Sequence, residues 1–259
     1  MSVDVSRRVL TRLQPSGIAL PVRYYRNYPV SNPSGYMEEK IVLDRDHTAF
    51  LIIDVYGRGL GGEEPAAGVP EMYRKWVTEN RHIVLDGVIP AKAAARKVGL
   101  PVVYLTNHLS PALNEDSELR RIELRVNGFD LLEVWREPSE VLYISDTIAP
   151  TGSDFLVKKQ HYSGFFDTQL DSLLRNLDVH NIVAVGFESQ ICLGSTLTEA
   201  MYRNYQVVVL RDAIATTEWV ETAEGRWANF VALRFIETNV GFSSTTAQWI
   251  RACAALEGD

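Results

Sequence analysis

Cysteine is scarce in this chain. Two residues of 259, Cys192 and Cys253, are too few for a disulfide framework, and a reducing compartment explains them better than a single bridge. Long apolar runs are missing as well. The opening segment, MSVDVSRRVLTRLQ, has no apolar h-region of the kind a secretory signal needs, and no stretch is long enough to span a bilayer. A cytoplasmic protein with no membrane partner is the expectation. Basic runs are absent: 33 acidic residues face 26 basic ones, a formal charge of -7, which leaves a nucleic acid no electrostatic footprint. There is no internal repeat and no low-complexity segment.

What is present is the composition of an ordinary globular chain, 46% hydrophobic and 23% charged, able to bury a core without disulfides or a structural metal. Residues 1–46 are rich in turn formers and tyrosine and read as an extended arm outside the folded domain. Its Tyr24, Tyr25 and Tyr28 are candidates to pack on the main body or on another subunit. From 47 to 259 strand and helix patterns alternate. Ala49 to Ile53 form an unbroken apolar run ending at Asp54, the mark of a strand buried on both faces. Further strands are expected at 101–106, 155–159, 181–186 and 206–210, with a last short strand or helix near 239–254. Leu170, Leu173, Leu174 and Leu177 fall at helical spacing, and Gly99 and Pro101 stop an earlier helix. The segment 109–140 is polar and charged, a long excursion with some helix over the side of the sheet where the strands' carboxyl ends gather. This pattern predicts an α/β fold: a doubly wound three-layer sandwich, its mostly parallel sheet of about six strands flanked by helices on both faces.

In such sheets reactive groups gather at the carboxyl ends of the strands. Asp54, Asn107, Lys159 and Cys192 all fall there. Cys192 opens a helix after the turn Gly186 to Ile191, where unpaired N–H groups and the helix dipole favour a thiolate, and a nearby Lys159 would lower its pKa further. Asp54 can take the thiol proton and return it to a leaving nitrogen. The backbone N–H groups of Ile191 and Cys192 could form the donor pair for an oxyanion. Each residue also has a plain structural reading. A free cysteine is often a small buried hydrophobe, an aspartate closing a strand often caps a turn, and a lysine after a strand is usually solvated.

The segments LIID, KKQHYSGFFDTQLDSLLR, GFESQICLGSTLTEA and VVVLRDA together resemble the isochorismatase-like cysteine hydrolase superfamily, from about residue 49 onward. Within it, Tyr162 to Arg175 and Ile236 to Gly241 are most similar to ureidoacrylate amidohydrolases of pyrimidine breakdown. The resemblance implies a triad of Asp54, Lys159 and Cys192, with Lys159 preferred over Lys158 because it stands three residues before Tyr162. It implies a cis peptide at Gln190–Ile191, substrate contacts at Asn107 and Tyr162, no cofactor and a homo-oligomer. The Asp-x-His metal motif of the nicotinamidase branch has no counterpart among the five histidines, so no metal is expected. One departure concerns the loop after Asp54, where Met-Gln is usual and this chain has Val55-Tyr56 followed by Gly57-Arg58-Gly59. Tyr56 and Arg58 are therefore further candidates for binding substrate, Arg58 through a carboxylate, unless it is merely solvated on the loop.

These features imply an amidohydrolase that cleaves a C–N bond of a small amide, ureide or carbamoyl compound through a thioester. Three other readings stand beside it: vinyl-ether hydrolysis as in true isochorismatases, which lack the nucleophilic cysteine; a binding protein that kept the fold and lost turnover; and a cysteine redox sensor, against which no resolving cysteine lies nearby in sequence.

Overall fold

The computed structural model describes residues 17–27, 35–65, 67–135 and 139–256. Its strands are β1 (Gly17–Arg26), β2 (Gly35–Asp44), β3 (Thr48–Ile53), β4 (Val102–Asn107), β5 (Phe155–Lys159), β6 (Asn181–Gly186), β7 (Gln206–Ile214) and β8 (Phe242–Ser244). The helices are α1 (Glu71–Ile83), α2 (Ile89–Lys97), α3 (Pro111–Asn114), α4 (Glu118–Asn127), α5 (Leu131–Val134), α6 (Leu170–Asn176), α7 (Cys192–Tyr202), α8 (Trp227–Asn239) and α9 (Thr246–Leu256). A π-helical turn, Val84–Val88, joins α1 to α2.

All six residues of β3, β4 and β6 are buried, because the sheet carries a core on each face. Side chains alternate between the two. Phe50 and Ile52 join Val183, Val185, Val208 and Leu210 in the core under α1, α2 and α9. Ala49, Leu51 and Ile53 join Ile182, Ala184, Val207 and Val209 in the core under α6, α7 and α8. A strand that must satisfy two apolar layers has no polar face to show, which is why these segments read as continuous hydrophobic runs.

The sheet order is β2-β1-β8-β7-β6-β3-β4-β5. The six strands from β3 to β8 run parallel, and β1 and β2 add an antiparallel hairpin at one edge. The sheet thus has eight strands rather than about six, and the two extra ones come from the segment expected to be an arm outside the domain. The reason is visible in β1, where Ile18, Leu20 and Val22 point inward at every second position and are buried in the first core. The hairpin also covers the edge of the three-residue β8, which would otherwise present unpaired backbone groups. Tyr24 packs edge-on against Phe242 with ring centroids 6.0 Å apart, and Tyr25 packs against Tyr36 at 5.3 Å. Tyr28 and residues 1–16 lie outside the described residues. Among those described, no helix is long and apolar enough to cross a membrane.

The chain visits β4 and β5 on one side of β3, then returns to β6 on the other. Its direction of winding therefore reverses at β3, and the crevice at the carboxyl ends of β3, β4 and β6 is where a doubly wound fold gathers reactive groups. Over that end runs the excursion from 108 to 154, in which α3, α4 and α5 close a small core of Leu109, Leu119, Leu131 and Leu132, with Tyr162 packed against it.

Candidate active site

Three backbone features aim the site. Asp54 follows β3 in the left-handed region at φ 51°, and its N–H donates to the Leu105 carbonyl of β4 at 2.9 Å. This turns its side chain out of the pleat and into the crevice. Lys159 ends β5 in register with Asn107 at the end of β4. Gly186 ends β6 at φ 117°, so close to β3 that a Cβ there would lie 2.0 Å from the Ile53 carbonyl oxygen. Only glycine allows that approach. From it the chain turns through Phe187 to Ile191 and delivers Cys192 as the first residue of α7.

The structure brings Asp54, Lys159 and Cys192 together. Lys159 Nζ lies 2.8 Å from Asp54 Oδ2, a charge contact more than an aligned hydrogen bond, since neither Asp54 oxygen has a well-directed donor. The Cys192 thiol is within hydrogen-bonding reach of both. Lys159 also donates to Asn107 Oδ1 and, at 3.2 Å, to the His161 carbonyl. Because an ammonium can only donate, this fixes the Asn107 amide with its Nδ2 toward the Tyr56 hydroxyl, 2.6 Å away. Tyr56 accepts that bond and keeps its own proton to give.

The triad is buried: Asp54, Lys159 and Cys192 are 5%, 0% and 6% exposed. Desolvation governs its charges. Burial raises the Asp54 carboxyl above its ordinary value, against the pull of Lys159. For Lys159 burial works toward the neutral amine, but the charges of Asp54 and Cys192 outweigh it and hold the ammonium. The thiol is a correction to expectation. Burial first, then the negative charge of Asp54, push Cys192 well above an ordinary cysteine, and Lys159 opposes this without prevailing. Burial thus disfavours the charged form of both the Cys192 thiol and the Asp54 carboxyl.

Other expected features are displaced. The cis peptide is Phe187–Glu188, not Gln190–Ile191, and falls where the chain leaves β6 rather than next to the sulfur. The Ile191 N–H is not a free oxyanion donor. It donates to the Glu188 carbonyl at 3.0 Å, as Leu193 does at 3.1 Å, because the turn closes on that oxygen. The Cys192 N–H keeps its place among the first amides of α7, which have no intrahelical acceptor. Arg58 is spent elsewhere: its guanidinium pairs with Glu140 and stacks over the Tyr143 ring at 4.0 Å. Tyr162 stands beside the site, its hydroxyl donating to Glu123.

Two acids had not been singled out: Glu188, four residues before Cys192, whose charge acts on the thiol, and Glu123, which accepts from Tyr162. Glu188 offered one signal, an acidic residue inside the short turn that leads to Cys192. Glu123 offered none, being one charge among many in a polar segment. Two surface hollows of about 590 and 670 Å³ are formed by 64–81 and by α7 with α8, and neither is lined by the triad. The chemistry, not the size of a hollow, identifies the site. Among the described residues, the one group of side chains able to hold a metal is His47, Asp178 and His180, at the opposite end of the strands.

The sequence profile of the isochorismatase domain matches residues 48–234, well over half of the chain. The chain belongs to the isochorismatase family. Among its family relatives is the ureidoacrylate amidohydrolase RutB of Acinetobacter baylyi, 28% identical over 234 residues, covering 82% of this chain and 86% of that one. The protein of the same name from Stutzerimonas stutzeri is 29% identical over 249 residues, covering 88% and 90%. Two solved structures share the fold. A cysteine hydrolase from Pseudomonas syringae pv. phaseolicola superposes with a TM-score of 0.68 at 24% identity, covering 83% of this chain and 95% of that one. N-carbamoylsarcosine amidase from Thermoplasma acidophilum gives 0.56 at 24%, covering 77% and 96%.

Proposed function

We propose that this isochorismatase-family protein is a hydrolase of non-peptide C–N bonds, splitting a small linear amide, ureide or carbamoyl compound with Cys192 as nucleophile. The relatives named for amidohydrolase and amidase activity support the reaction class. The observation that carries the mechanism is the meeting of Asp54, Lys159 and Cys192, each brought from beyond or at the end of a separate strand, in a nearly buried site.

Asp54 accepts the thiol proton as the sulfur attacks the carbonyl carbon. The C=O electrons move onto oxygen, and the Cys192 N–H donates to the resulting oxyanion. Collapse of the tetrahedral adduct breaks the C–N bond, and Asp54 passes the proton to the departing nitrogen. Water then attacks the thioester with Asp54 as base, and the thiol is restored. Lys159 keeps Asp54 competent by offsetting its charge in a dry site, where an unpaired carboxylate would simply stay protonated.

Ammonia release measured over a panel of small amides and ureides tests the reading. Cys192→Ala and Cys192→Ser should each lose activity by about a thousandfold or more, and near-normal turnover in either rejects it. A homo-oligomer is part of the proposal. Along one stripe of α8, Trp227, Val231 and Phe235 face outward, 56%, 61% and 49% exposed, and a light-scattering mass equal to one chain discards this part. A cytoplasmic location accords with the two unbridged cysteines and would be lost if the protein were recovered outside the cell.

A further inference from the structure

A tetrahedral oxyanion is usually met by more than one hydrogen-bond donor, and the turn before α7 offers it a single N–H. The Ile191 N–H is spent on the Glu188 carbonyl at 3.0 Å, and the Leu193 N–H on the same oxygen at 3.1 Å. Only the Cys192 N–H is left at the start of the helix. A further donor has to come from a side chain.

The side chains beside the triad form a relay. Lys159 Nζ donates to Asn107 Oδ1, and Asn107 Nδ2 donates to the Tyr56 hydroxyl oxygen at 2.6 Å. The Tyr56 proton is left over. Asp54, two residues earlier, does not take it, since neither of its carboxylate oxygens has a hydrogen-bond partner. Each link points away from the ammonium, so each bond polarises the next and the last O–H becomes a stronger donor. Tyr56 is also held in place. The chain is pinned before it, where the Asp54 N–H donates to Leu105 at 2.9 Å, and after it, where the Gly57 N–H donates to Tyr143 at 2.7 Å. Lys159 and Asn107 are buried, whereas Tyr56 is partly exposed, so the phenol stands where the buried triad meets the outside. Burial, with the charges of Asp54 and Cys192, holds its pKa well above the ordinary 10.0, and it keeps its proton at any pH where the triad works.

Accepting Cys192 as the nucleophile, as proposed for the amidohydrolase reaction, we infer that Tyr56 is a catalytic residue, the second donor to the oxyanion, its hydroxyl standing in for the Ile191 N–H. As the sulfur bonds to the carbonyl carbon, the C=O pair moves onto oxygen, and the Tyr56 O–H donates to it beside the Cys192 N–H. No proton crosses. When the adduct collapses the pair re-forms C=O, the C–N bond breaks, and Tyr56 retains its hydrogen. Hydrolysis of the thioester uses the same two donors. Lys159 then acts in two directions, on Asp54 directly and on the oxyanion through Asn107 and Tyr56.

The test compares two reactions of the Cys192 sulfur in the full chain. p-Nitrophenyl acetate acylates it through a tetrahedral oxyanion, with p-nitrophenolate leaving; iodoacetamide alkylates it by direct displacement of iodide, with no oxyanion. Tyr56→Phe should slow acylation by about a hundredfold and leave alkylation within about twofold. Tyr56→3-fluorotyrosine, which keeps the hydroxyl, should restore acylation. Unchanged acylation in Tyr56→Phe, or an equal slowing of both reactions, overturns the inference, because the second result is what a residue that merely positions the sulfur would give. If Tyr56→Phe does not fold, Tyr56→3-fluorotyrosine and Tyr56→3,5-difluorotyrosine decide: acylation should change with the acidity of the phenol while alkylation does not, and acylation indifferent to it overturns the donor role. Cys192→Ala separates this from the catalytic reading. Acylation that survives Cys192→Ala, or is absent from the unaltered protein, overturns the nucleophile, whereas Cys192-dependent acylation indifferent to Tyr56→Phe overturns the donor role alone.

Discussion

The parallel strands carry a cluster of charged groups at each end, and the two clusters differ in their surroundings more than in their chemistry. At the carboxyl end, Asp54, Lys159 and Cys192 are almost fully enclosed. At the amino end, His47 precedes β3, His180 precedes β6, and Asp178 stands between them, 3.2 Å from His47 Nδ1 and 3.3 Å from His180 Nε2. The imidazole rings stack with centroids 4.8 Å apart, but the group faces solvent. In water each charge is already solvated, so pairing adds little. In the closed crevice each charge is held only by the others, so a proton moved among them has large consequences. The comparison locates the chemistry in desolvation rather than in residue type.

The largest effect should come from removing the buried cation. Lys159→Met leaves Asp54 enclosed with no opposing charge, and should cost about 3–5 kcal/mol of stability by denaturant titration. Activity should fall by about a thousandfold as Asp54 goes over to its protonated form. A stable, active Lys159→Met protein would mean that the two ends of the sheet do not differ in the way described.

A smaller loss is expected for Asn107→Ala. Asn107 links Lys159 to Tyr56 without touching the sulfur, so its loss should misplace both and lower kcat by about a hundredfold at most. The pH profile sharpens the same point. Asp54 must be ionised to act, and burial raises its pKa from the ordinary 3.8. The acid limb of kcat/KM should therefore lie above that value, with activity lost as pH falls through the raised pKa. For stability the sign is opposite: the folded chain holds this proton more tightly than the unfolded chain, so the group withdraws stability as pH rises between the two values. An acid limb at an ordinary carboxylate pKa would show Asp54 to be hydrated.

How much of this was legible in the sequence follows from the same physics. The buried strands could be read because two apolar layers demand unbroken runs, and Asp54, Asn107 and Lys159 could be placed because strand ends in this topology converge. The hairpin of β1 and β2 was obscured by Pro21 within β1 and by many exposed residues in β2, the composition of an edge rather than of a central strand. The depth at which Cys192 sits was not legible, because sequence shows the helix start and the lysine but not the burial that works against the lysine. The commitments of Arg58 and Ile191 depend on Glu140, 82 residues away, and on one carbonyl of a tight turn, and neither distance is written in the order of residues.

The smallest effect belongs to the exposed end. The backbone carbonyl of Asp178 raises the His47 pKa above its ordinary 6.5, with the nearby aspartates adding to it. A raised histidine pKa means the folded state binds the proton more tightly, so the contribution is complete below 6.5 and is lost as pH rises through the folded value. His47→Ala should cost stability near about pH 5.5 and almost none near about pH 8.5, and the difference should stay below about 1 kcal/mol because solvent screens the group. Equilibrium denaturation at the two pH values measures it. A loss as large as that of Lys159→Met would mean that the amino-end cluster is as strongly coupled as the one at the carboxyl end, and the distinction by burial would no longer hold.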